Sequence, residues 1–235
     1  MNIVMSPSNL KTFRDCPRKF QAKYITKEVK FVQTPAAARG EQLHTLMESA
    51  VKHGWESIQW PEPANIEHAR GFIQTIWNLK ASGWSVKAEL EAATDGLGNV
   101  TGWWDKPPQN FIRSKIDVCA THPDKDYAII IDWKTGKVYD TDLIQLAVNA
   151  LCLYPITGKT KYQAMFAYLD SGTVRDASLE IDILHPATYE LKDNSPLYDV
   201  MQTIRNLKQA YDEDKWPMVK NKFCHWCDVP DCPNK

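Results

Sequence analysis

The chain has 235 residues, of which 43% are hydrophobic and 24% charged, the balance of one soluble-type domain with enough apolar side chains for a core. Its formal net charge of −1 provides no global attraction for a polyanion, so a nucleic-acid partner must be met by a local patch. No apolar run approaches the ~20 residues of a membrane span, and the opening MNIVMSPSNLKTF lacks a signal peptide's apolar centre. The expected setting is therefore the cytoplasm, with no membrane partner.

In chain order, Ser6-Pro7-Ser8 has the form of a helix start, with helical spacing through Leu10, Phe13 and Phe20. This stretch is basic: residues 11–30 hold Lys11, Arg14, Arg18, Lys19, Lys23, Lys27 and Lys30 against Asp15 and Glu28. Alone, such a run describes a solvated helix face. Residues 36–53 and 65–81 repeat apolar side chains near every 3.6 residues and are expected to be helices. In SVKAELEAAT the period changes to two, placing Val86, Ala88, Leu90 and Ala92 on one face of a strand. A loop follows, from Gly96 through Trp103-Trp104 to Pro107-Pro108, and then two strands at 111–120 and 126–134 joined by a short turn. A helix is expected at 141–154, strands near 161–169 and 177–184, and a long helix near 186–214. The tail, 216–235, has neither period. This order implies a single α/β domain, a mixed sheet with helices on both sides. Neither GxGxxG nor GxxxxGK[ST] occurs, so no nucleotide cofactor is expected.

The chemistry concentrates at two strand ends. KIDV carries Asp117 and IIDWK carries Asp132 and Lys134, the last two sharing a face because strand side chains alternate. A tight antiparallel connection would bring both carboxylates together. Two buried carboxylates repel unless a cation lies between them, and a hard divalent ion suits oxygen ligands. A structural ion pair remains the plain alternative.

Asp117, Asp132 and Lys134 resemble the PD-(D/E)xK nuclease signature, in its RecB-like branch, which includes iron–sulfur CRISPR-associated spacer-acquisition nucleases and phage exonucleases. SPSNLKTFRDCPRKF resembles the branch's N-terminal S-x-L-x-x-F-x-x-C-P-x-x-F segment, and RGEQLH its G-x-x-x-H motif. Glu89 is similar to the glutamate before the first catalytic aspartate, and Gln145 to the glutamine of Q-x-x-x-Y. The chain departs from the pattern at Asn149, where tyrosine is usual, and at Ser114, where glycine is common. Asp132 stands where many members have glutamate.

The resemblance implies a restriction-endonuclease-like core and a metal-dependent deoxyribonuclease, with exonuclease action on single-stranded or end-opened DNA favoured over endonuclease action. Magnesium or manganese would be held by His44, Asp117, Asp132 and the Trp133 backbone carbonyl, with Glu89 as a further ligand. Lys134 would orient the attacking water, and Gln145 would position Lys134 or a phosphate. Arg14, Arg18, Lys19 and Lys137 are the expected DNA contacts. Protein partners would belong to recombination, repair or replication. A non-cleaving DNA-end-binding subunit is the alternative from another class.

Cys224, Cys227 and Cys232 form C-x2-C-x4-C in a segment with little else to order it. Clustered cysteines in a cytoplasmic chain suit a metal centre better than disulfides. The resemblance supplies Cys16 as fourth ligand and implies a [4Fe–4S] cluster joining residues 1–35 to 216–235. A zinc site, with His225 able to replace one thiolate, is the competing occupant, and would leave a zinc-stabilised interaction module. Cys119 and Cys152 read as small core residues.

Overall fold

The computed structural model describes residues 2–30, 32–61, 66–138, 143–181 and 196–234. Within them a five-stranded mixed sheet has the order β1-β2-β3-β4-β5, from Ser85–Thr94, Ile112–Thr121, Tyr127–Lys134, Lys161–Tyr168 and Val174–Glu180. All neighbours are antiparallel except β3 and β4, which are parallel and joined through helix α5, Ile144–Thr157. The remaining helices are α1 (Pro7–Asp15), α2 (Pro17–Phe20), α3 (Pro35–His53), α4 (Ile66–Ala81) and α6 (Pro196–Asp212).

Two apolar layers cover the sheet. Leu10 and Phe13 of α1, Leu146 and Leu153 of α5, and Leu197 and Leu207 of α6 bury one face with Ile130 and Phe166. On the other, Leu43 and Met47 of α3 and Ile73 and Ile76 of α4 pack on Ile129, Ile131 and Trp133. The alternation in β3, with Ala128 and Ile130 to one layer and Ile129 and Ile131 to the other, is what a strand buried on both sides requires.

Several expectations need adjustment. Residues 6–20 are not one helix: the Ser6 capping box starts α1, but Cys16 is extended (φ −166°, ψ 111°) before α2 begins at Pro17. A residue preceding proline is driven out of the helical region, and the break turns Cys16 away from the helix line. The strand expected at 177–184 lies at Val174–Glu180, and the final helix is described from Pro196; residues 182–195 lie outside the described residues. The helix expected at 141–154 is described from Ile144 and continues to Thr157, with 139–142 also outside.

The last adjustment bears on function. Val86 and Ala88 do pack against the α3–α4 layer, but Leu90 and Ala92 pack against the α5 layer. The inversion occurs at Glu89, whose backbone is left-handed at φ +53°. Ala88↔Val118 and Leu90↔Ile116 continue one register on either side, so Glu89 faces Asp117 where the ladder is interrupted. β2 inverts at the same level, with Ile116 facing α5 and Val118 facing α3–α4. A left-handed non-glycine residue inside a strand is strained, of order 1–3 kcal/mol, and such strain clusters at functional sites.

Candidate metal centre and cysteine cavity

The distortion opens the sheet beside β3. Paired residues Val118↔Ile131 set Asp117 opposite Asp132, one step beyond the last ladder pair. There Asp117 Oδ2 takes the place of a strand carbonyl, accepting the Trp133 backbone N–H at 2.7 Å. Its Oδ1 lies 3.3 Å from Nδ1 of His44, which α3 carries one turn after Gly40. Gly40 permits this approach, since a Cβ there would come within 3.3 Å of Thr135 Oγ1. His44, Glu89 and Asp117 bring ligand atoms within 4.8 Å of one another, the one such trio among the described residues. Burial works against charge on His44, but Asp117, then Asp132 and Glu89, outweigh it and raise its pKa.

Asp132 belongs to a second group, on the face toward α5. Only 1% exposed, it has Oδ2 2.6 Å from Lys134 Nζ, yet that oxygen makes no hydrogen bond. Gln145 Nε2 donates to Asp132 Oδ1, and Gln145 Oε1 accepts from Lys134 Nζ at 2.7 Å. One amide, on the first turn of α5, thus fixes both carboxylate and ammonium. Burial pushes Asp132 up to about 6, against the pull of Lys134 and with repulsion from Asp117. The two groups sense each other electrostatically, although Asp132 stands outside the tight trio.

The donor set fits a divalent cation. One imidazole and two carboxylates converge, and a further carboxylate oxygen nearby is buried without a hydrogen bond. Such an arrangement of charge is costly unless a cation compensates it, and hard oxygen-rich ligands suit magnesium or manganese.

Some of the arrangement has no signal in sequence. Arg39 makes a two-point ion pair with Asp170, at 2.5 and 3.0 Å, and Asp170 also accepts the Gly136 N–H. Arg39 holds the Asp170 carboxyl below its usual range, assisted by Gly136. This clamp ties α3 to the end of β3, next to Lys134. Lys115 pairs with Glu89. Ser114 and Asn149, both departures from the motif pattern, bond each other: Ser114 Oγ donates to Asn149 Oδ1 at 2.6 Å, deep in the core.

At the C-terminal end of α1, Cys16, Cys224, Cys227 and Cys232 line one cavity of about 70 Å³, with Asp15, Arg18 and Lys19 beside them. The tail is fastened there: Arg18 N–H donates to Pro217 O, Asn221 Nδ2 donates to Asp15 O, and Phe20 stacks on Trp216. His225 is exposed against Trp226 and does not line the cavity. Cys119 and Cys152 are buried, and burial pushes the Cys119 thiol up to about 11.

The expected DNA contacts are dispersed. Arg14 and Lys137 are exposed, while Arg18 is committed to Glu28 at 2.6 Å and lines the cysteine cavity with Lys19. No helix among the described residues is long and apolar enough to cross a membrane.

A family model of the PD-(D/E)XK nuclease superfamily matches residues 4–232. Among solved structures, the crystal structure of SSO0001 shares the fold, with TM-score 0.50 and 18% identity, over 99% of this chain and 87% of that one. No curated protein matches the chain.

Proposed function

Because the chain belongs to the PD-(D/E)XK nuclease superfamily, we propose that it is a magnesium- or manganese-dependent deoxyribonuclease acting as an exonuclease on single-stranded or end-opened DNA. The observation that carries this reading is the convergence of His44, Glu89 and Asp117 beside a buried Asp132–Lys134–Gln145 group. His44, Glu89 and Asp117 would hold the ion, with Asp132 and the Trp133 carbonyl as further ligands. When bound, the ion supplies Lewis-acid polarisation of the phosphate and an activated water. Asp117, fixed by the Trp133 N–H, keeps its free oxygen directed toward His44. An ammonium has three donors; Lys134 gives one to Gln145 and offers another to the attacking water or a non-bridging phosphate oxygen. That places positive charge where negative charge develops. Gln145, bonded to both, fixes the Lys134–Asp132 pair.

The four cysteines would hold a [4Fe–4S] cluster whose role is to fasten the tail to α1, and their convergence on one cavity supports a shared metal centre. Recombination, repair or phage replication is the proposed setting.

Two measurements test these readings. Manganese titration followed by electron paramagnetic resonance should show binding to the wild type that weakens at least tenfold in His44→Ala and in Glu89→Gln; equal binding in all three would remove the proposed ligand set. Anaerobic purification should yield a brown protein with iron and acid-labile sulfide, whereas a colourless zinc protein would remove the cluster.

A further inference from the structure

The turn between β1 and β2 uses a buried polar network to hold an indole in solvent. Asn110, fully buried, donates from Nδ2 to the carbonyls of Gly102 and Trp103, each at 3.2 Å. Asp105 accepts the Gly102 N–H at 2.8 Å, and Arg113 of β2 donates to the Trp103 carbonyl at 2.8 Å. The Arg113 guanidinium lies 4.7 Å from the Trp103 ring and 5.9 Å from that of Trp104. Trp104 itself is 81% exposed. A single exposed apolar side chain is ordinary. One that directly follows the hydrogen-bonded Gly102–Trp103 segment, beside an arginine, offers a base a stacking surface.

The strand that follows connects this surface to the acidic trio. Arg113 and Lys115 alternate on β2 and share a face, and Asp117, at the inversion, meets His44 of α3. That face is opposite α5, since Ser114 bonds Asn149 of α5 and Ile116 packs in its layer. At ~3.3 Å per residue, Arg113 stands about 13 Å from Asp117, within reach of a short oligonucleotide. Charge along the line is mixed: Lys115 pairs with Glu89, and Glu91 stands opposite it on β1. Stacking, which needs a base face rather than a field, therefore dominates over phosphate attraction.

The geometry points to a single-stranded DNA subsite, in which an unpaired base stacks on Trp104, its phosphate meets Arg113, and the strand follows β2 to the His44–Glu89–Asp117 trio. A duplex keeps its base faces inside its own stack and cannot use the indole in this way. What happens to the strand at the trio rests on the nuclease reading above; the subsite is a matter of binding and can be tested without cleavage.

The test is anisotropy of a fluorescein-labelled oligothymidylate of about ten nucleotides, added to the full chain in EDTA. Trp104→Ala should weaken binding about tenfold, the scale of one lost base–aromatic stack, while Trp104→Tyr keeps most of it. Arg113→Gln should weaken binding less and reduce the log–log salt slope by ~0.7. Affinity for a blunt duplex of equal length should be the same in wild type and Trp104→Ala. Equal single-strand affinity in those two proteins, or a loss not recovered by tyrosine, overturns the subsite. Binding that depends on Trp104 with no cleavage on adding manganese would instead retain the subsite and remove the nuclease reading.

Discussion

The acidic site and the cysteine cavity are both built from residues distant in sequence, yet they are held in opposite ways. Every side chain at the acidic site rises from a helix or strand, and the local cost is electrostatic and conformational: a left-handed Glu89 and a buried Asp132 pushed up to about 6. The cysteine cavity also has a left-handed residue, Asp231 at φ +51° beside Cys232, and three of its thiols sit on a tail whose only regular element among the described residues is the short turn Cys224–Trp226. The first region is preorganised at a cost that a cation offsets. The second is ordered by a handful of contacts to α1 and α2, and gains from whatever its thiols bind.

The largest expected effect separates chemistry from binding within the acidic site. Lys134→Ala should reduce cleavage at least a hundredfold, the scale of losing one charge-stabilising donor, while single-stranded DNA affinity changes less than about threefold, since binding draws on Trp104 and Arg113. Cleavage assays beside EDTA-based anisotropy check both halves. On the cysteine side, Cys227→Ser should lower the melting temperature by about 4–8 °C, corresponding to roughly 2 kcal/mol for a cross-link that closes a long loop. Calorimetry should then show that loss together with loss of iron; loss of iron with an unchanged melting temperature would mean the tail is ordered by protein contacts alone.

Asp132→Asn should do the reverse of a damaging mutation. The folded-state pKa of Asp132 lies above its ordinary 3.8, at about 6. The folded protein therefore binds this proton more tightly than the unfolded chain, so the charge penalises folding fully above pH 6 and not at all below about pH 4. In EDTA at pH 7.5 the variant should be more stable by about 3 kcal/mol, with the advantage vanishing as pH falls to 4. Urea unfolding across that window measures it, and a pH-independent difference would show that Asp132 is not strained by burial.

How much of this is legible in sequence depends on the range of the interaction. KID and IIDWK, with a tight turn between them, suffice to place Asp117 opposite Asp132, because strand parity and register are local rules. Pro17 is a visible reason for Cys16 to leave the helix, although periodicity alone runs through it. Nothing in AELEA marks Glu89 as left-handed, since glycine is the usual sign and is absent; the inversion emerges only when two apolar layers compete for one strand. Asp170 reaches Gly136 across 34 positions and Arg39 across 131, and Ser114 reaches Asn149 across 35. Such pairings are set by packing and leave no periodic trace.

Two smaller effects follow from those long-range pairings. Asp170→Ala releases Arg39 and the Gly136 N–H, and should lower kcat about tenfold through loosened positioning of Lys134. Arg39→Asp combined with Asp170→Arg should recover part of it, and no recovery would show that the residues do not act as a pair. Ser114→Ala removes one buried hydrogen bond and should cost about 1 kcal/mol, with metal affinity unchanged; thermal melts and manganese titration distinguish a packing role from one in the site.

The measurement that tests the central claim most directly is degradation of 5′- and 3′-labelled single-stranded DNA by wild type and Asp117→Asn, each in manganese and in EDTA. The trio built on Asp117 requires manganese-dependent release of nucleotides by the wild type and none by the variant. Degradation that persists in EDTA, or in Asp117→Asn, would contradict a metal centre at the His44–Glu89–Asp117 group.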